Sequence, residues 1–257
     1  MNEDKFTGKA NIYAKYRPNY PSAFLDYLYK DVGFNAQSVV ADIGAGTGIL
    51  SKQLLQRRSN VICVEPNDDM LGMATQELAD FQNVQFVQAS AENTGLRGHC
   101  VDFITVAQAF HWFDRKAFKA ECQRILRSTT DGSANGDKVV LVWNDKDLDS
   151  PLMQEIAEVN ARYRENFEGF SGGREINPDA YADFFRNGHC EYKTFRNDRM
   201  QSEETLIGGC LSASDAPKEG SPNHQGFVSA LRQIFKKHSE NGLMALPQVT
   251  RSYVGRV

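Results

Sequence analysis

The sequence predicts an α/β protein: a doubly wound, mostly parallel seven-stranded sheet with an antiparallel C-terminal edge hairpin and an inserted helical cap. Three observations predict it. Short β-rich runs alternate with helical patterns between Val39 and Trp143, at the spacing that parallel strands joined by right-handed crossovers require. A glycine-rich turn, Gly44 to Gly48, follows the first of those runs. After Asn144 the alternation stops, and helical segments separate two late β runs.

The elements follow in order. Val39-Val40-Ala41-Asp42-Ile43 reads as a buried strand, and apolar positions at Ile49, Leu50, Leu54 and Leu55 place one face of a helix after the turn. Val61 to Val64 is the second strand. Pro66-Asn67-Asp68 then opens a helix capped by Asn67 or Asp68 and lined by Met70, Leu71, Met73, Ala74 and Leu78. Val84 to Val87 and Val101 to Val106 are the third and fourth strands. Asp114 is placed to cap a helix carrying Phe118, Cys122, Ile125 and Leu126. A loop rich in Gly, Ser, Asn and Asp, Ser128 to Asp137, leads to the fifth strand, Val139 to Trp143. Beyond it, Met153–Phe167 and Pro178–Phe185 read as helices, and Glu191–Met200 as one long strand. A helix through Phe227, Leu231, Ile234 and Phe235 precedes a last strand, Thr250–Val257. The two late strands are expected to finish the sheet, with the helices between them as a partial cap over the strand ends. No linker composition interrupts the chain, so one domain is expected over residues 1–257.

Composition narrows the function classes. A net charge of −4 provides no general electrostatic footprint for nucleic acid or an anionic membrane. No stretch approaches the roughly 20 apolar residues that cross a bilayer, and no secretory run follows the polar start Met1-Asn2-Glu3-Asp4-Lys5. The five cysteines, Cys63, Cys100, Cys122, Cys190 and Cys210, are scattered without a Cys-x-x-Cys pair, which favours reduced thiols over a disulfide frame or a zinc site. The expectation is a soluble cytoplasmic protein without a metal, a monomer or homodimer acting on a small molecule.

Four constellations carry candidate chemistry. In the turn Asp42-Ile43-Gly44-Ala45-Gly46-Thr47-Gly48 the glycines permit positive φ and close approach of a ligand to the backbone. Their Gly-x-Gly-x-Gly spacing differs from the dinucleotide fingerprint. Asp42 would face the amine of an amino-acid ligand, directly or through water, where a pyrophosphate would be repelled; otherwise it is an incidental acid beside a tight turn. Glu65 stands about 20 residues past the first glycine, where a ribose-binding acid belongs in this topology; it could equally cap the next helix, with Pro66 and Met70 beside a nucleoside or in the core. Ala89-Ser90-Ala91-Glu92 offers a backbone amide at Ala91 and polar groups at Ser90 and Glu92 to an adenine edge, or is a polar loop. Ala107-Gln108-Ala109-Phe110-His111-Trp112-Phe113-Asp114 joins aromatic rings to a group that titrates near neutrality. His111 acts there as a general base, or only orients its neighbours while Trp112 packs under the cap.

These motifs, in this order, resemble the class I methyltransferases of the type 11 group, the set that includes ubiquinone and menaquinone C-methyltransferases and trans-aconitate methyltransferase. Asp42 to Gly48, Glu65-Pro66 with Met70, Ser90-Ala91-Glu92 and Gln108 to Trp112 carry the resemblance, over roughly residues 40–145. Tyr13-Ala14-Lys15-Tyr16-Arg17-Pro18-Asn19-Tyr20-Pro21 is similar to one subgroup's Tyr-x-x-x-Arg-Pro-x-Tyr-Pro segment. Leu211-Ser212-Ala213-Ser214-Asp215-Ala216-Pro217 resembles its Ser-x-Ser-Tyr-x-Pro stretch, with Asp215 in place of the aromatic residue, and Tyr253-Val254-Gly255-Arg256 its final strand. The resemblance implies S-adenosylmethionine as cofactor and direct in-line methyl transfer to a small-molecule acceptor. It assigns Asp42, Gly44, Ala45, Gly46, Gly48, Glu65, Pro66, Met70, Ser90, Ala91, Glu92 and Gln108 to the cofactor, and His111 and Trp112 to the acceptor. Residues 1–36 become a segment covering the cofactor, with Arg17 reaching a carboxylate and Tyr13 or Tyr16 beside the sulfonium, or with Arg17-Pro18 setting a first turn. Residues 37–145 become the cofactor-binding core, and 146–257 the cap and last two strands. A non-catalytic cofactor-binding protein and a nucleotide-dependent oxidoreductase are the competing readings.

Overall fold

The computed structural model describes residues 19–127, 136–170, 177–213 and 215–257. They fall into two compact units: one draws on Met1–Asn144, Pro178–Phe195 and Thr250–Val257, the other on Asp145–Asn177 and Arg196–Val249. In chain order the elements are α1 (Ser22–Tyr27, continued by a π turn over Leu28–Val32), β1 (Val39–Ile43), α2 (Ile49–Gln56), β2 (Asn60–Val64), α3 (Asp68–Glu77) and β3 (Val84–Val87). Next come β4 (Phe103–Ala107), α4 (Arg115–Ile125), β5 (Lys138–Lys146), α5 (Pro151–Tyr163) and β6 (Glu191–Arg196). The chain closes with β7 (Arg199–Gln201), α6 (Glu203–Leu211), α7 (His224–His238), β8 (Met244–Leu246) and β9 (Gln248–Gly255).

The sheet has seven strands in the order β3-β2-β1-β4-β5-β9-β6, mostly parallel with an antiparallel strand. β1 pairs in parallel with β2 and β4, β2 with β3, and β4 with β5. Successive residues of each strand turn to opposite cores. Ala41, Ile43, Ile62, Val64, Ile104, Val106, Leu141 and Trp143 join Phe118, Cys122 and Ile125 of α4 on one face. Val40, Val61, Cys63, Phe103, Val140 and Val142 join Leu50, Leu54 and Leu55 of α2 and Phe24 and Leu28 on the other. With both faces covered, these strands read as near-continuous apolar runs, which made them visible in the sequence. Asp42, two residues beyond Val40, falls on the α2 face, a carboxylate set into an apolar layer. Side-chain caps fix two helix starts: Asn67 accepts the Met70 N–H at 3.0 Å before α3, and Asp114 accepts those of Lys116 and Ala117 at 3.0 Å each before α4.

The second half departs from the expectation in several places. Pro178–Phe185 is not a helix; only Ala182–Phe184 makes a 3-10 turn. Its rings pack instead, Tyr181 stacked on Trp143 at 4.6 Å and Phe184 on Phe118 at 5.6 Å, and that packing outweighs the helical ladder. Glu191–Met200 is not one strand. The turn-forming pair Asn197-Asp198 breaks it, Asp198 taking the Arg196 Nε–H at 2.6 Å. β6 then belongs to the large sheet, and β7 pairs with β8 in a separate two-stranded sheet. α5 starts at Pro151 behind the cap Ser150, rather than at Met153, and ends at Tyr163. α6 was not anticipated, because Gly208 and Gly209 dilute its helical signal; Ser202 caps it, accepting the Thr205 N–H at 3.2 Å. α1 and β8 were also not anticipated. In the second unit, Leu152, Met153 and Ile156 of α5 pack with Leu206, Ile234, Phe235, Met244 and Leu246.

Candidate active site

β1 and β4 are neighbours in the sheet, and the residues after them form an open cleft in the first unit. Gly44, Ala45, Gly46 and Thr47 line it from the glycine turn, Ala107 and Gln108 from the end of β4, and Asn144 from β5, together with Tyr20, Ile49 and Leu50. Doubly wound sheets take ligands at this end of their strands.

The turn is left-handed at each glycine, with φ of +68° at Gly44, +57° at Gly46 and +80° at Gly48. The Gly44 and Ala45 amides donate to the Val64 carbonyl at 2.8 and 3.1 Å, tying the turn to β2. A Cβ at Gly44 would come within 2.6 Å of the Ala109 Cβ, whereas at Gly46 it would meet none of the described residues within 4 Å. The protein's own packing therefore demands the first glycine, and the second faces open space. Thr47 is 4% exposed, and its hydroxyl has no hydrogen-bond partner among the described residues. A buried hydroxyl left unpaired costs about 1–3 kcal/mol, so the cleft wall carries a polar atom in want of a ligand or water.

Glu65 lies just past β2 and is buried. Its Oε2 accepts the Gly46 N–H at 2.9 Å and its Oε1 the Asn67 N–H at 3.1 Å, so one carboxylate ties the glycine turn to the start of α3. Pro66 follows it, and Met70 is buried on α3. Gln108 has left-handed φ of +63°; its N–H donates to Val142 O at 2.9 Å and its Nε2 to Asn144 O at 3.3 Å, holding the ends of β4 and β5 together.

Asp42 does not line the cleft. It is 1% exposed and accepts the Ser51 hydroxyl at 2.6 Å and the Thr105 hydroxyl at 2.8 Å. The fold dictates both partners: Ser51 is on the helix covering that face, and Thr105 is directly opposite Asp42 in the β1–β4 register. Burial pushes its carboxyl up to about 6, against the lowering pull of the two hydroxyls. Burial, aided by Asp42, also raises Cys63, its register partner on β2, to about 12. An acid whose pKa is higher folded than unfolded favours the folded state fully below the unfolded value, near 3.8, and loses that contribution as pH rises through 6. The shift corresponds to about 3 kcal/mol. In urea titrations, the stability advantage of the wild type over Asp42→Asn is therefore expected to fall by about 3 kcal/mol between pH 3 and 7.5. A difference flat across that range would rule out Asp42 as the titrating group.

Other residues singled out in the sequence lie apart from the cleft lining. Ser90 bridges to Asn93, Ala91 is buried, and Glu92 Oε1 accepts the Asp114 N–H at 3.0 Å before α4. His111 and Trp112 sit on the 3-10 turn Phe110–Trp112, both exposed, their rings 4.7 Å apart above the buried Phe110. Tyr13, Tyr16 and Arg17 lie outside the described residues. In the second unit, Asp215 takes two hydrogen bonds from Arg164. Conversely, Tyr20, Thr47 and Asn144 line the cleft without having been assigned a role. For Tyr20 the Tyr-Pro pair of the N-terminal motif was a usable signal: its N–H and carbonyl bond the Gln53 amide of α2 at 3.0 and 2.7 Å. Nothing local marks Asn144.

Residues 41–130 match the family model of a methyltransferase domain. The chain is 29% identical over 208 residues to an uncharacterised methyltransferase-like protein of Schizosaccharomyces pombe, covering 80% of this chain and 77% of that one. It is 33% identical over 157 residues to an uncharacterised methyltransferase of Mycobacterium tuberculosis, covering 61% of this chain and only 59% of the mycobacterial protein. The solved structure of a candidate type II methyltransferase from Anaeromyxobacter dehalogenans matches with a TM-score of 0.62 at 21% identity, covering 94% and 98% of the two chains, which is a likeness of fold. Among the described residues, no helix is long and apolar enough to cross a membrane.

Proposed function

Because the chain is a class I S-adenosylmethionine-dependent methyltransferase of the type 11 group, we propose that it methylates a small-molecule acceptor by direct in-line displacement. The observation that carries this reading is the cleft wall. Among the described residues Gly46 faces open space and the buried Thr47 hydroxyl has no partner, and the Glu65 carboxylate behind the turn accepts the Gly46 N–H. These features fit an amino-acid and ribose-bearing ligand. When bound, S-adenosylmethionine supplies an electrophilic methyl group on a sulfonium, with S-adenosylhomocysteine as the product.

The chain's own residues then have distinct tasks. The backbone of Gly44, Ala45, Gly46 and Gly48 lies against the methionine part, and Thr47 gains its missing partner there. Glu65 accepts from the ribose hydroxyls, which is why its carboxylate must be held in place by the Gly46 and Asn67 amides. Pro66 and Met70 flank the adenosine, and Ser90, Ala91 and Glu92 meet the adenine edge. Gln108 closes the cleft beside the reacting centre. Asp42 works from behind the turn, holding Ser51 and Thr105. His111 and Trp112 meet the acceptor, and His111 accepts a proton only where the nucleophile is neutral; a carboxylate needs no base. Most of the rate comes from alignment.

Calorimetric titration tests the reading: S-adenosylmethionine is expected to bind, and preferential binding of NAD would overturn it in favour of an oxidoreductase. Release of labelled methyl into product during a metabolite screen separates an enzyme from a cofactor-binding protein. With a neutral acceptor, His111→Ala is expected to lower kcat about 100-fold while leaving cofactor Kd unchanged. An unaltered rate removes the base.

A further inference from the structure

The second unit holds a cluster of cations and rings outside the cleft. Arg164 donates its Nε–H to Asp215 Oδ2 at 3.1 Å, an Nη2–H to Asp215 Oδ1, and an Nη1–H to Asn160 Oδ1 at 2.8 Å. Its guanidinium lies 4.8 Å from the centre of the Phe167 ring, Phe167 meets Phe170 edge to face at 5.0 Å, and Lys146 Nζ stands 3.9 Å from the centre of Phe170. Arg164 and Asp215 neutralise each other. Lys146 has no hydrogen-bonded or ion-paired partner among the described residues, yet it is partly withdrawn from water. Burial, then the charge of Arg164, lowers its pKa. Cys210 does not serve as counter-ion, because burial raises its thiol above the ordinary range. A desolvated cation packed against a ring is relieved most readily by an anion from solution.

We propose that Lys146 anchors an organic carboxylate, whose apolar body rests on Phe170 and Phe167 while the Arg164–Asp215 pair holds that frame. The ligand is either the methyl acceptor or a separate effector; only the first alternative rests on the methyl-transfer reading.

The full chain is titrated calorimetrically with phenylacetate and with its neutral counterpart, phenylacetamide. Phenylacetate is expected to bind at least ten-fold more tightly. Lys146→Gln is expected to lose at least ten-fold of that affinity, and Lys146→Arg to keep most of it. Equal affinities for acid and amide, no binding of phenylacetate by the wild type, or an unchanged affinity in Lys146→Gln would each overturn the proposal. Should Lys146→Gln fail to fold, the acid–amide preference of the wild type and Lys146→Arg decides it alone. S-adenosylmethionine titrated into the same proteins reads the cleft separately, and its affinity is expected to be unchanged in Lys146→Gln. With that cofactor present, formation of methyl phenylacetate identifies an acceptor site, and bound but unmodified phenylacetate an effector site.

Discussion

Gly44→Ala is expected to lower the unfolding free energy by about 2–5 kcal/mol, while Gly46→Ala costs stability only about 1–2 kcal/mol and loses cofactor affinity instead. Both residues are left-handed, at φ of +68° and +57°, so any Cβ brings the same backbone strain of about 1–2 kcal/mol. They differ in what the Cβ meets. At Gly44 it lies 2.6 Å from the Ala109 Cβ, which has no rotamer to move aside, and overpacking of that kind adds about 1–3 kcal/mol. At Gly46 no atom of the described residues stands within 4 Å, so an incoming ligand would feel the methyl group. For a chain of this size the Gly44 variant should melt roughly 5–15 °C lower, and the Gly46 variant should bind S-adenosylmethionine at least about ten-fold more weakly. Thermal unfolding and calorimetry on both variants check the pair. Equal loss of stability with cofactor affinity intact in both would show that the turn is only a fold element.

Glu65→Ala is the second large effect. It removes the acceptor of two amides, Gly46 at 2.9 Å and Asn67 at 3.1 Å, at a residue that is 8% exposed. Leaving them unpaired should cost about 1–3 kcal/mol of stability. The same carboxylate is the proposed ribose acceptor, so cofactor affinity is expected to fall by about 1–3 kcal/mol, roughly five- to 150-fold. Glu65→Gln keeps one acceptor oxygen and should fall between. The two losses are measured separately, by denaturant titration and by calorimetry. A destabilised Glu65→Ala with wild-type cofactor affinity would leave Glu65 as a clamp on the glycine turn and nothing more.

The first half of the fold was legible because each signal there is local. Strands covered on both faces must be apolar at nearly every position, as in Val39–Ile43 and Val139–Trp143, and helix starts need a side-chain acceptor, which Asn67 and Asp114 supply. The second half was harder to read. Asn197 and Asp198 end one strand and separate it from another in a different sheet, and the rings of Tyr181 and Phe184 draw a helical-looking segment into a short turn. Those outcomes depend on partners far away in the chain.

The candidate site divides in the same way. By itself the sequence determined the positions of the glycine turn and Glu65, since left-handed glycines and an acid closing the next strand are local requirements with a recognisable spacing. It also carried the motifs that match a methyltransferase-domain model over residues 41–130. Only the tertiary structure decided which way Asp42 faces, because that follows from which core covers the face it shares with Val40 and from Thr105, 63 residues away. The tertiary structure alone also brought Asn144 to the cleft wall and separated the two glycines into one needed for packing and one with no described residue beside its Cβ position. The physical reason is one of range. Backbone conformation and capping are set by neighbours in sequence, whereas burial, register and the free space beside a Cβ are set by segments that meet only when the sheet assembles.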